Sequence, residues 1–209
     1  MPAPIRIHRL AKSGHCHRVE LFARLSGIPF ELVDVDLAGG EHRRQPFLAL
    51  NPAAEVPVIE DGAVVVADSN AILVYLARSY APTWIPEGAA AEAEVQKVLS
   101  LAAGEIANGP AAARLVTVFG MKLDVDRARA VAATAFKRLE AHLDGREWLA
   151  AGRPTIADIA IYSYTAHAPE GGVSLDPYPR IRALLARIEG LPGFVAMPST
   201  AAGLVTETA

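Results

Sequence analysis

The first third of the chain alternates between two hydrophobic periods. Ile5 and Ile7, two apart in PIRIHR, mark a short strand. A polar turn at 11–14 leads into a helical stretch from about His15. There Val19, Phe22, Ala23 and Ser26 share a face, with Leu21 and Leu25 beside it. Gly27 stands just past the helix end, where a left-handed residue is favoured. Val33, Val35 and Leu37 in PFELVDVDL predict a second strand, and GGEHRRQPFLALNP reads as a loop with a short irregular helix. VPVIE and AVVVA, separated by Asp61-Gly62, predict a hairpin. Asp68-Ser69 then caps a helix over NAILVYLARSY. The order β-α-β-α-β-β-α joins two parallel strands through a helix and adds an antiparallel hairpin.

After Tyr80 the pattern changes. APTWIPEGA, with two prolines and a glycine, reads as a linker. From Ala89 onward Ala-rich segments carry helical spacing over 89–119, 124–143, 156–167 and 178–189. Breaks fall at Gly120, at Asp144-Gly145 and across 169–177, and the tail after Pro198 is expected to fray. The fold class is therefore α/β followed by all-α: a first domain over 1–80, a linker over 81–88 and a helical domain over 89–209.

Composition narrows the function. The 209 residues are 52% hydrophobic and 21% charged, with a net charge of −3. No basic patch is present beyond the pair Arg43-Arg44, so a nucleic-acid partner is not expected. The mean hydropathy of +0.24 implies apolar surface for a partner subunit to cover. A single cysteine, Cys16, rules out an intrachain disulfide and suits a reducing cytoplasm. The opening residues lack the apolar core of a secretory signal, and no apolar run reaches the ~18 residues of a membrane span. His15 and His17 are two apart, so on a helix they point to different sides, and no metal is expected.

NPAAEVPVIEDG (51–62) followed by ADSNAILVYLA (67–77) resembles the pattern NPxGxVPxLxDG…ESxAIxxYL of the glutathione transferase superfamily. The match is closest to the serine-type bacterial, phi and zeta classes, and GEHRRQPFLALNP is similar to the phi stretch upstream. The resemblance implies a thioredoxin-like first domain, a helical-bundle second domain and a homodimer. It also implies glutathione as co-substrate, with a hydrophobic electrophile or peroxide as second substrate. On this reading Val56-Pro57 is cis, and the Val56 backbone pairs with the tripeptide as an added strand would. Asp68 and Ser69 hold the γ-glutamyl end at a helix N-terminus, where free amides and the dipole favour a carboxylate. His42 and Arg43 match positions that touch the glycyl carboxylate. Glu55 stands where relatives more often carry Gln or Lys. An ionised carboxylate cannot donate, so either that contact is lost or Glu55 meets the ammonium.

The implied chemistry requires a thiolate, whereas a free thiol with pKa near ~8.5 is mostly protonated at neutral pH. A hydroxyl donor and a helix N-terminus aimed at the sulfur would shift that balance. Matching Arg18-Val19 to the same pair in relatives puts Ser13 on the catalytic serine; as a plain sequence feature it is equally a helix cap. Cys16 is the rival, in a disulfide reductase. A maleylacetoacetate-type isomerase and a non-catalytic binding protein are further alternatives. In GRPTIADIAIYSY, Thr155 and Asp158 form a capping box with a structural role. Leu115, Phe119 and Tyr164 suit either an electrophile pocket or the core.

Overall fold

The computed structural model describes residues 4–201. The last part of the stretch expected to fray, 202–209, lies outside them. The chain separates into two compact units, one running to Ile85 and reclaiming Leu191–Met197, the other beginning at Pro86. The return of Leu191–Met197 to the first unit departs from the sequence division, which gave all of 89–209 to the second. Its tie is non-local: the His17 ring bonds the Val195 carbonyl (2.8 Å), and a Cβ on Gly193 would lie 3.1 Å from the Arg24 carbonyl.

The first unit holds a four-stranded sheet of order β2-β1-β3-β4, built from β1 (Ile5–Arg9), β2 (Phe30–Asp34), β3 (Val58–Asp61) and β4 (Val64–Ala67). β1 runs parallel to β2 and antiparallel to β3, which pairs antiparallel with β4. Helix α1 (Gly14–Leu25) makes the parallel crossover, and α3 (Ser69–Tyr80) packs with it against the sheet. Val35, Phe47 and Val58 form a separate apolar cluster, with Val56 and Ala67 packed at its edge; Phe47 opens the short α2 (Phe47–Leu50). The β-α-β-α-β-β-α order stands as expected. The hairpin slips by one position: Asp61 pairs with Val64, so the two-residue loop is Gly62-Ala63, with Gly62 at φ +59°.

The second unit is helical: α4 (Ala89–Leu101), α5 (Ala112–Phe119), α6 (Val125–His142), α7 (Ile156–Ala166) and α8 (Pro179–Glu189). α7 is buried at every position from Ile156 to Thr165, so it is the central helix of its bundle. Between α4 and α5 the backbone widens into a π-helical stretch, Ala102–Ala111, that helical periodicity alone does not reveal. A Cβ at Gly109 would lie 2.8 Å from the Ala132 amide, so only glycine lets this stretch and α6 approach so closely. The chain is also held further than expected at its end, because the Thr200 hydroxyl and amide both donate to Glu170 (2.6 and 3.1 Å). Glu170 additionally takes the buried Arg114 guanidinium (2.6 Å) and the His167 ring (2.7 Å). Among the described residues no helix is long and apolar enough to cross a membrane.

Candidate active site

Two helix starts face one another across the first unit, each organised by its own residues. At α1, Ser13 takes an extended conformation (φ −87°, ψ 123°) and its hydroxyl oxygen accepts from the Cys16 amide at 3.4 Å. That cap uses a lone pair, and the same hydroxyl also has the Cys16 thiol as a side-chain hydrogen-bond partner. At α3, Asp68 caps the helix with one oxygen, Oδ1, which accepts from the Asn70 and Ala71 amides at 2.9 Å each. Asp68 does so from φ +71°, a left-handed conformation that costs a non-glycine residue about 1–3 kcal/mol. Its side chain is exposed although Ser69 beside it is buried.

The two helices are tied by Arg18, which is 1% exposed. Its Nη1 donates to Ser69 Oγ (3.0 Å) and to Asn70 Oδ1 (2.7 Å). Ser69 Oγ also lies 3.2 Å from His15 Nδ1. Burial, reinforced by the Arg18 charge, lowers the His15 pKa to about 4, so the imidazole is neutral at physiological pH.

Between these helix starts and β3 is a pocket of about 250 Å³ lined by Glu55, Val56, Pro57, Asp68 and Ser69, together with His15, Asn51, Ala53 and Ala67. The Val56-Pro57 bond is cis, as expected; Gln45-Pro46 is cis as well, which the sequence reading did not foresee. Asn51 shapes the approach to Val56. Its Oδ1 accepts from the Ala53 amide (3.1 Å) and its Nδ2 donates to the Glu55 carbonyl (2.9 Å), so one buried side chain fixes the loop.

Five of the eight residues named from the sequence thus line one pocket. Ser13, His42 and Arg43 are not among the lining residues. Ser13 is held at the α1 cap, while His42 and Arg43 lie on a short helical turn, Glu41–Arg43, with Arg43 Nε donating to His42 Nε2 (3.2 Å). Two polar lining residues were not among those eight. Asn51 carries an i to i+2 Asx signal that is legible in NPA. His15 is legible in the sequence as one of the groups at the turn that carries Ser13 and as half of a metal pair, but nothing in the sequence reveals its partner 54 positions away.

Cys16 has the opposite environment to a nucleophile. It is 1% exposed, its Sγ accepts from the Leu10 amide at 3.4 Å, and burial pushes the thiol up to about 11. A larger cavity of about 650 Å³ lies in the second unit, against α4 and α6, and contains none of the residues named from the sequence.

The description "Glutathione S-transferase, N-terminal domain" matches residues 13–79, and "Glutathione S-transferase, C-terminal domain" matches residues 113–192. Rat glutathione S-transferase theta-2 is 32% identical over 186 residues, covering 84% of this chain and 76% of its own. The chain belongs to the glutathione S-transferase family. A maleylpyruvate isomerase from a Ralstonia species is 30% identical, with 91% of this chain and 94% of that protein covered. Among solved structures, a possible glutathione S-transferase from Rhodopseudomonas palustris superposes with a TM-score of 0.87 at 30% identity, covering 95% of this chain and all of the other. The transferase family's two-part fold accounts for the sheet-bearing unit and the helical unit described above.

Proposed function

We propose that this glutathione S-transferase family member binds glutathione in the pocket between Val56 and the start of α3, ionises its thiol, and directs the thiolate onto a hydrophobic electrophile. The observation that carries this reading is the convergence, in one pocket, of the Val56 backbone, in the bend that enters β3, with a helix N-terminus at Asp68-Ser69. A peptide can pair with the former as an added strand, and its γ-glutamyl carboxylate suits the latter. Asp68 spends only Oδ1 on its cap, which leaves Oδ2 for the ligand's ammonium. Glu55, on the same wall, adds negative charge for that ammonium in place of the donor that relatives carry. His42 and Arg43 are assigned the glycyl carboxylate.

Ser13 is assigned to the sulfur. Its hydroxyl donates to the thiolate at the positive end of α1, which lowers the thiol pKa of the bound tripeptide. The thiolate then forms a carbon–sulfur bond with the electrophile as the leaving group departs with its electron pair. The apolar side chains Val64, Val65, Val74 and Tyr80, exposed on β4 and α3, support a homodimer. The reductase reading through Cys16 is not favoured by a buried thiol held protonated.

Calorimetric titration with glutathione, combined with conjugation of a chromogenic chlorodinitrobenzene, tests the proposal. Saturable uptake and a rate that depends on glutathione are expected. Absence of uptake would overturn it.

A further inference from the structure

The pocket presents an unusual problem for an anion. Glu55 and Asp68 both line it, and neither carboxylate can donate a hydrogen bond when ionised. A thiolate brought among them needs a donor on the pocket wall. Asn51 spends its carbonyl and an amide proton on its own loop. Ser69 has two partners for its hydroxyl, Arg18 and His15. A guanidinium only donates, so Ser69 Oγ accepts from Arg18 and gives its proton to the partner that can accept, Nδ1 of His15. A neutral imidazole whose Nδ1 accepts carries its proton on Nε2. Asn70 takes a second bond from the same Arg18 nitrogen, which fixes the relay from its far end.

His15 is the second residue of α1, one step beyond Gly14 and two beyond the Ser13 cap. It therefore lines the pocket from the same helix end that would hold the sulfur, while its ring is bonded to the start of α3. Glutathione's cysteine is the middle residue of the tripeptide, between the γ-glutamyl end at Ser69 and the glycyl end. We infer that His15 is a second donor to the thiolate, acting through an Nε2–H held in place by the Arg18–Ser69 relay, so that the sulfur sits between His15 and Ser13. This rests on the glutathione reading of the pocket. The thiol proton leaves to water as the tripeptide binds; His15 stays neutral throughout and gives a hydrogen bond, not a proton. One consequence is that the Ser69 hydroxyl is committed to His15, so the γ-glutamyl carboxylate is left to the amide end and dipole of α3.

The test is an ultraviolet titration of the thiolate in glutathione-loaded protein, with affinity measured in parallel by calorimetry. His15→Ala should raise the apparent thiol pKa by about one unit, a roughly tenfold loss of thiolate at neutral pH, with affinity changed less than about threefold. His15→Asn, whose amide can still donate, should recover most of that shift. A 15N spectrum of the unliganded protein should show His15 as the Nε2–H tautomer. If the wild type binds glutathione and the thiol pKa is the same in His15→Ala, the inference is overturned and the pocket reading survives. It is equally overturned if His15→Ala loses affinity with no change in thiol pKa, because His15 then holds the tripeptide and not its sulfur. If the wild type takes up no glutathione, both fail. Far-ultraviolet circular dichroism separates these outcomes from misfolding, and His15→Leu, which fills the space of the ring without a donor, carries the test if His15→Ala does not fold.

Discussion

The starts of α3 and α7 use the same chemistry to opposite ends. Each is capped by an oxygen side chain with an aspartate at hand: Asp68 itself at α3, Thr155 with Asp158 at α7. At α7 the cap is sealed. Asp158 has no exposed surface, and its two oxygens take the Leu149 amide (3.0 Å), the Thr155 amide (2.9 Å) and the Thr155 hydroxyl (3.0 Å). Both oxygens of that carboxylate are engaged by the chain. At α3 Asp68 is exposed, uses one oxygen, adopts a left-handed backbone and borders a pocket. A cap that closes on itself stabilises a fold, whereas a cap left half-used beside a cavity is suited to a ligand.

Substitutions should separate the two caps, and the largest effect falls on the sealed one. Asp158→Ala removes a cap and strands two buried amides, so denaturant unfolding should show a loss of about 3 kcal/mol. The same change at Asp68 should cost only about 1 kcal/mol in stability. Its main effect belongs to binding. Asp68→Asn keeps the cap but removes the charge, and calorimetry should show glutathione affinity falling about tenfold with stability within ~0.5 kcal/mol of wild type. Equal losses of stability at Asp68 and Asp158 would erase the distinction.

Ser13 and Cys16 sharpen the picture at the other helix start. Ser13→Ala should lower kcat/KM about 100-fold, as expected on removing one donor to a developing anion. Cys16→Ser should leave it within about twofold, since that thiol is buried and pushed up to about 11. The reverse ranking would restore the reductase reading.

A smaller effect lies in the pH dependence of stability within the second unit. Burial pushes the Asp158 carboxyl up to about 6, against its ordinary 3.8, despite its three donors. The folded state therefore binds this proton more tightly than the unfolded one, and the associated stability is present at low pH and lost as pH rises through about 6. Glu170 behaves oppositely. Burial alone would raise it, but the bonds from Thr200, His167 and Arg114 outweigh that and bring it down from 4.5 to about 2. Its contribution is complete above 4.5 and fades as pH falls toward 2. Unfolding of Asp158→Asn across pH 4–6 and of Glu170→Gln across pH 2–4.5 should each flatten the corresponding limb relative to wild type.

Much of this was legible in the residues because it rests on local signals. Period-two and helical spacing set the element order, and Asp68-Ser69 and Thr155-x-x-Asp158 marked helix starts that the structure bears out. The misses share a different character. The hairpin loop slipped by one because register is set by strand pairing, and Asp61 pairs with Val64 instead of turning. The π-helical stretch packs against α6 through Gly109 and Ala132, a contact between segments far apart in sequence. The bond from Ser69 to His15, a residue of the same turn as Ser13, could not be seen because Ser69 and the first turn of α1 meet only in the fold. The hold on Thr200 likewise depends on Glu170, thirty positions earlier.

The central claim is that the half-used cap at α3 and the Val56 backbone together receive a tripeptide. A crystal structure of the glutathione complex tests it most directly. The account predicts the γ-glutamyl end at Asp68 and Ser69, the cysteinyl backbone along Val56, and the sulfur within hydrogen-bond reach of Ser13 and His15. A tripeptide bound in the larger cavity against α4 and α6, or with its sulfur joined to Cys16, would contradict it.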